Sequence, residues 1–203
     1  MKRGRSQLLP VILIVVIVVV SVAAIVALAR TMFSGGANKP ATEQQQNSDQ
    51  EALLSTSMER GVRMSVRGEI TADEQFRSYQ IVVKPTSRAM TTYSGYLDSV
   101  IETASYENNT KAYDEFVHAL DLAGMINGKE LNEQQNDVRG VCYGGKVVTF
   151  ETIQNDQTVK KLWTTTCSNA KGSLLGSQAQ LSNLFLSQIP DSQKLLKNIR
   201  AKQ

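Results

Sequence analysis

Hydrophobic positions along the chain fall into three regimes: one long continuous run, a polar stretch without period, and a region of short periodic segments. The run is Leu8 to Ala29, twenty-two residues without a charge. A helix rises about 1.5 Å per residue, so the run spans about 33 Å, enough for a hydrocarbon core of about 30 Å. Val and Ile richness from Val11 to Val20 is no obstacle, because a helix satisfies its own backbone in lipid. Pro10 falls in the first turn, where a missing N–H costs nothing. Lys2, Arg3 and Arg5 precede the run and only Arg30 follows closely, so the positive-inside rule places the N-terminus in the cytoplasm and the rest outside. Ala27-Leu28-Ala29 has the A-x-A form of a peptidase site, so a cleaved signal peptide competes with a retained anchor. The run exceeds the roughly 7 to 15 residues of a signal peptide's apolar region, which favours the anchor.

The polar stretch contains Ser34-Gly-Gly-Ala-Asn-Lys-Pro40 and Glu43-Gln-Gln-Gln-Asn-Ser-Asp-Gln50. Nothing in it can bury a core, so it predicts a flexible stalk. The expected organisation is a basic cytoplasmic tail at 1–7, a transmembrane helix at 8–29, a linker at 30–50 and an extracytoplasmic domain at 51–203.

In the third regime, residues 62–70 alternate, with Val62, Met64, Val66 and Ile70 on one face and Arg63, Ser65, Arg67 and Glu69 on the other. Period two predicts a half-buried strand. Phe76–Lys84 and Arg88–Tyr96 predict a hairpin turning at Pro85. A helix is predicted from about Thr110 to Ala123, with Tyr113, Phe116, Val117 and Leu120 at helical spacing and Gly124 as a stop. Three strands should follow, at 138–143, 146–153 and 157–166, joined by Gly144-Gly145 and Asn155-Asp156. Two helices close the chain, one at about 177–188 with Leu181, Leu184 and Phe185 on one face, the other after Pro190 with Leu195, Leu196 and Ile199 inward. The fold class expected is α+β: an antiparallel sheet covered by helices on one face.

Charge changes the picture only by subtraction. The formal net charge is +3, but Lys2, Arg3, Arg5 and Arg30 belong to the membrane signal, and the remaining 18 Lys and Arg face 19 Asp and Glu, a net of −1. No electrostatic case for a nucleic-acid partner remains.

Chemistry centres on Cys142 and Cys167, the only two cysteines. Cys167 ends Leu162-Trp-Thr-Thr-Thr-Cys167 and resembles the strand-ending nucleophile of sortase-like transpeptidases. Such chemistry needs a thiolate, a histidine and an oxyanion-stabilising arginine. The T-L-x-T-C pattern of that family meets Trp163-Thr-Thr-Thr-Cys167 here, so two of four fixed positions fail. The single histidine, His118, falls on the polar flank of the predicted helix near Asp114 and Asp121, and no arginine follows Cys167 before Arg200.

A disulfide is the other role for the pair, and the oxidising exterior permits it. Closing the loop between them would stabilise by about 3 kcal/mol. Regular hairpin registers pair Cys142 with Val147 and Val147 with Thr164, which leaves Cys167 two strands away. Cα atoms two strands apart are separated by about 9.6 Å, beyond the disulfide limit near about 7 Å. The bond therefore requires the chain to leave the last strand near Thr165 and curl over Gly144-Gly145. The same registers put Val141, Val148, Phe150, Val159 and Trp163 on the core face.

Other motifs are weak. Ser168-Asn-Ala-Lys171 has the S-x-x-K form without its companions, and Asn108-Asn-Thr110 is a glycosylation sequon only in a eukaryote. There is no metal-ligand spacing, P-loop or dinucleotide fingerprint, so no cofactor is expected.

The runs Arg77–Tyr96, Leu162–Cys167 and Ser187–Asp191 together resemble a group of uncharacterised single-pass exported proteins of small-genome, host-attached bacteria, a group to which no activity is attached. The resemblance implies a bacterial cell-surface location and no site residues. A fainter likeness, an aromatic-T-x-T-C strand ending, is shared with subtilisin-inhibitor-type domains, but their second nearby cysteine and reactive loop are missing. The expected protein is a membrane-anchored, extracytoplasmic binding or envelope-associated module without catalysis, with an envelope or surface protein as its partner. A cell-wall transpeptidase using Cys167 is the alternative.

Overall fold

The structure is a computed structural model that describes residues 41–129, 131–168 and 170–201. The expected cytoplasmic tail at 1–7, the expected transmembrane helix at 8–29 and the first part of the expected linker lie outside the described residues. Among the described residues no helix is long and apolar enough to cross a membrane.

From Gln45 onward the chain forms one compact unit. The described elements are α1 (Ala41–Leu54), β1 (Arg60–Arg67), a 3-10 turn (Asp73–Gln75), β2 (Arg77–Val83), β3 (Ser87–Ser94), β4 (Ser99–Glu107), α2 (Thr110–Leu122), β5 (Val147–Gln154), β6 (Gln157–Thr165), α3 (Gln178–Ser187) and α4 (Ser192–Ala201). The strands make an antiparallel sheet in the order β4-β3-β2-β1-β5-β6. The α+β expectation holds: four helices and a six-stranded antiparallel sheet among the described residues.

Alternation in β1 buries Val62, Met64 and Val66 and turns Arg63, Ser65 and Arg67 to the other face. The register carries this face across the sheet, with Met64 opposite both Ile81 and Phe150, Ile81 opposite Met90, and Phe150 opposite Leu162. The helices cover it: Leu53 of α1, Tyr113, Phe116, Val117 and Leu120 of α2, Leu181 and Phe185 of α3 and Leu195 of α4 join one core. Phe185 links the layers, 5.3 Å from Phe116 edge-on and 5.9 Å from Phe150. Each such side chain contributes about 1.5 to 3 kcal/mol by leaving water. Asn109 caps α2 by accepting from the Ala112 N–H, and Gly124, at φ +77°, stops it.

Three expectations change. Ser99–Glu107 is a strand that no period-two pattern announces, because a bulge opposite Thr92 and Tyr93 places the extra residue Ile101 on β4 and breaks the alternation. Residues 41–54 are helical where composition suggests a linker. The predicted strand 138–143 is a run of turns, with Gly140 at φ +74°.

The register of β5 with β6 also differs. Asn155 and Asp156, at φ +50° and +64°, make the two-residue turn, but a bulge then skips Val159, so that Thr152 opposes Lys160 and Val148 opposes Thr164. One residue of slip exchanges the faces of a strand. Leu162 enters the main core, Trp163 turns to the opposite face, and Val159 is 48% exposed.

Candidate functional site

Trp163, on the sheet's second face, nucleates a small cluster with Cys142 and Val147, flanked by Leu131, Val138, Val141 and Cys167. Its indole N–H donates to Asn136 Oδ1 at 3.2 Å, and its backbone N–H to Ser173 Oγ at 2.9 Å. The segment after Cys167 returns along β6: the Leu174 N–H donates to Trp163 O, and Gly172 lies so close that a Cβ there would sit 2.0 Å from that oxygen. The outer edge of β6 is covered in this way.

Cys142 and Cys167 are disulfide-bonded, with Cα atoms 5.7 Å apart. β6 ends at Thr165, and Thr166 then pairs with Lys146 through reciprocal bonds: its N–H to Lys146 O at 3.0 Å, and the Lys146 N–H to Thr166 Oγ1 at 2.8 Å. Cys167 thereby crosses the turn after Cys142. A Cβ at Gly145 would lie 2.6 Å from Thr166 Oγ1 and 2.8 Å from Cys142 Sγ, whereas one at Gly144 would meet nothing within 4 Å. Of the two glycines, Gly145 makes room for the bond.

His118 stands 3.6 Å from Asp114, one turn away on α2, and both are largely exposed. Ser168 and Lys171 are exposed, and the Asn108 side-chain amide donates to Lys84 O at 2.8 Å. None of these joins the cysteines in a catalytic arrangement among the described residues.

A cleft of about 400 Å³ opens at the end of the sheet where β1 finishes and β2 begins. Val66, Tyr79, Leu196 and Ile199 form its apolar side; Glu69, Thr71, Gln75, Arg77 and Lys146 line it with polar groups. The alternation of β1 and β2 aims Val66 and Tyr79 inward, and α4 presents Leu196 and Ile199. The 68–76 loop is fixed around it by the Gly68 N–H to Arg77 O, the Ile70 N–H to Tyr143 O, and Tyr96, whose hydroxyl donates to Thr71 O at 2.8 Å while its ring stacks on Phe76 at 4.1 Å.

Burial pushes the Tyr79 hydroxyl up to about 12, and it has no hydrogen-bond partner among the described residues. Glu69, Gln75 and Lys146 likewise make no side-chain hydrogen bond or ion pair among the described residues. Arg77 is engaged: its guanidinium donates to the carbonyls of Glu74 and Phe76. The sequence alone does not connect these residues, since they come from two strands, two loops and the last helix; a tyrosine on the apolar face of Arg77–Val83 is the one hint.

No known protein family matches the chain, and no curated protein is similar to it.

Proposed function

We propose that the protein is a single-pass bacterial membrane protein, N-terminus inside, whose α+β domain stands outside the membrane and binds an envelope or surface partner through the cleft between the sheet end and α4, without catalysis. The observation that carries the binding role is the cleft itself, about 400 Å³, in which Val66, Tyr79, Leu196 and Ile199 meet the polar groups of Glu69, Gln75 and Lys146. Ligand sites combine an apolar lining with a few convergent polar groups in this size range. The exterior location rests on the charge-flanked run Leu8–Ala29 and on a disulfide, which persists in oxidising surroundings. A sulfur held in that bond is no nucleophile, so a transpeptidase role for Cys167 would first require reduction.

Topology is tested on the full chain in intact cells. External protease should remove the domain, and maleimide should label neither cysteine before reduction, even in denaturant; a protected domain or a reactive Cys167 would overturn the proposal. Binding is tested by screening dipeptides, amino acids and small acids against the full chain, with the amide resonances of Gly68, Thr71 and Lys146 as reporters. Perturbation confined to those positions supports the cleft; a screen that leaves them unmoved rejects it.

A further inference from the structure

The disulfide sits outside the main core. Among the described residues no side chain between 127 and 146 joins that core, and residues 131–146 hold no helix or strand. This strap meets the sheet through the smaller cluster, whose buried members are Cys142, Val147 and Trp163. Its hydrogen bonds to the rest of the fold sit beside the two sulfurs. Tyr143, next to Cys142, accepts from the Ile70 N–H at 2.9 Å, and Thr166, next to Cys167, exchanges two bonds with Lys146. Gly145 fills the space between: a Cβ there would lie 3.1 Å from Cys167 Sγ as well as 2.8 Å from Cys142 Sγ. Glu69 and Lys146 line the cleft, so one of its walls is tied to the residues that flank the disulfide. The other half of the loop, Thr71 to Phe76, is held separately by Tyr96, through its hydroxyl at Thr71, its N–H to Asp73 Oδ1 at 2.7 Å and its ring on Phe76.

We infer that the disulfide is a redox latch on the cleft: its reduction by a dithiol frees the strap and loosens the wall that carries Glu69 and Lys146, while the main core stays folded. As a regulation of binding, this rests on the cleft being the binding site. Cys142 is 2% exposed and Cys167 only partly buried, so the incoming thiolate attacks Cys167 Sγ. The S–S bond breaks toward Cys142, which leaves as a thiolate and takes up a proton. The donor's second thiol then attacks the mixed disulfide, releases Cys167 as a thiol and departs as the donor's own disulfide, two electrons having passed to the protein. Without the cross-link the strap is retained by the small cluster and by the bond from the Trp163 indole to Asn136. Few buried apolar contacts and an irregular backbone place such a segment at the low-stability end of a fold.

The test is amide hydrogen exchange, followed by NMR on the full chain in nanodiscs with and without dithiothreitol. Reduction should speed exchange at Ile70, Lys146 and Thr166 about tenfold or more, and leave Thr71 and the strand amides of Met64, Ile81 and Phe150 within about twofold. Cys142→Ser with Cys167→Ser should show the fast pattern under both conditions. Thr166→Val, which removes the acceptor of the Lys146 N–H under an intact disulfide, should loosen Lys146 and leave Ile70 protected. Reduction that leaves Ile70 and Lys146 as protected as before would overturn the latch. Loss of protection at Met64, Ile81 and Phe150 together with Ile70 would also overturn it, making the bond a staple of the whole fold. Loosening confined to the cleft wall, in a chain whose cleft takes no ligand of the screen, would uphold the latch and reject the binding role of the cleft instead.

Discussion

Lys160 on β6 reaches across to Asp49 on α1, and the two side chains are only 14% and 7% exposed. The bulge that skips Val159 puts Lys160 opposite Thr152 on the helix-covered face, where it meets α1. That helix reads Ala-Thr-Glu-Gln-Gln-Gln-Asn-Ser-Asp-Gln-Glu-Ala-Leu-Leu, too polar to hold itself to a core by burial alone. Its attachment comes from Leu53, 1% exposed, from Gln50 donating to Asp121 at 2.7 Å, and from this ion pair. Removing one partner of a largely buried pair weakens the hold on the other charge, so Asp49→Ala should lower stability by about 1 to 3 kcal/mol in urea unfolding. Replacing both by apolar residues, Asp49→Leu with Lys160→Met, should cost less than either single change, because both charges and their desolvation are removed together. A single substitution within about 0.5 kcal/mol of the parent would show that the pair contributes little.

The disulfide and Gly145 form a second testable unit. Cys142→Ser with Cys167→Ser should lower stability by about 3 kcal/mol, the closure entropy of the intervening loop. Gly145→Ala should cost about 1 to 3 kcal/mol with both cysteines present, since the added methyl meets Thr166 and Cys142, while Gly144→Ala should stay within about 0.5 kcal/mol. Trp163 is the only tryptophan and packs with Cys142, so its emission reports on this cluster. A red shift on reduction at temperatures where the far-UV signal is intact would show that the cluster opens before the sheet does.

Where the sequence carries a regular period, the elements could be read directly: β1, the hairpin of β2 and β3, α2 and α3 lie within a few residues of expectation, because alternation at Val62, Met64 and Val66 and the three-four spacing at Tyr113, Phe116, Val117 and Leu120 each reflect one buried face. The condition on the disulfide could also be read, since strand spacing forbids the bond in a continuous meander and the chain does leave β6 at Thr165. Bulges hid β4 and the faces of β6, while the helix at 41–54 and the turns at 138–143 departed from expectation without one. A bulge leaves no mark in composition yet reverses the faces of everything beyond it, which is how Trp163 and Val159 were expected in the main core when Leu162 occupies it. The cleft was invisible for a different reason: Val66, Tyr79, Lys146 and Ile199 come together only through the sheet order and the path of the last helix.

The bulge itself is open to a mutational check. Val159→Ser should change stability by less than about 0.5 kcal/mol, as expected of a side chain 48% exposed. Leu162→Ala, which empties a site 2% exposed among Phe150 and its neighbours, should cost about 2 to 5 kcal/mol. A regular hairpin without the bulge would reverse the order of the two, with Val159 sensitive and Leu162 tolerant, so the pair of unfolding curves decides the register.

At the opposite end of the sheet from the cleft, Lys84 at the end of β2 lies 2.6 Å from Asp156 in the turn between β5 and β6, and the ammonium holds the Asp156 carboxyl below the usual carboxylate range. A carboxyl whose folded pKa is depressed stabilises the fold above its unfolded value and loses that contribution as pH falls through the folded value. The ion pair therefore contributes at neutral pH and is lost as acid protonates Asp156. Lys84→Met should return the Asp156 carboxyl carbon to an ordinary titration midpoint, followed by NMR, and should move the onset of acid unfolding to higher pH. Asp156→Asn keeps a residue that tolerates the left-handed turn, at φ +64° in the parent, and should move the onset in the same direction. An Asp156 titration unchanged by removing Lys84 would mean that solvent already screens the pair, and the acid sensitivity of the fold would then have to come from other carboxylates.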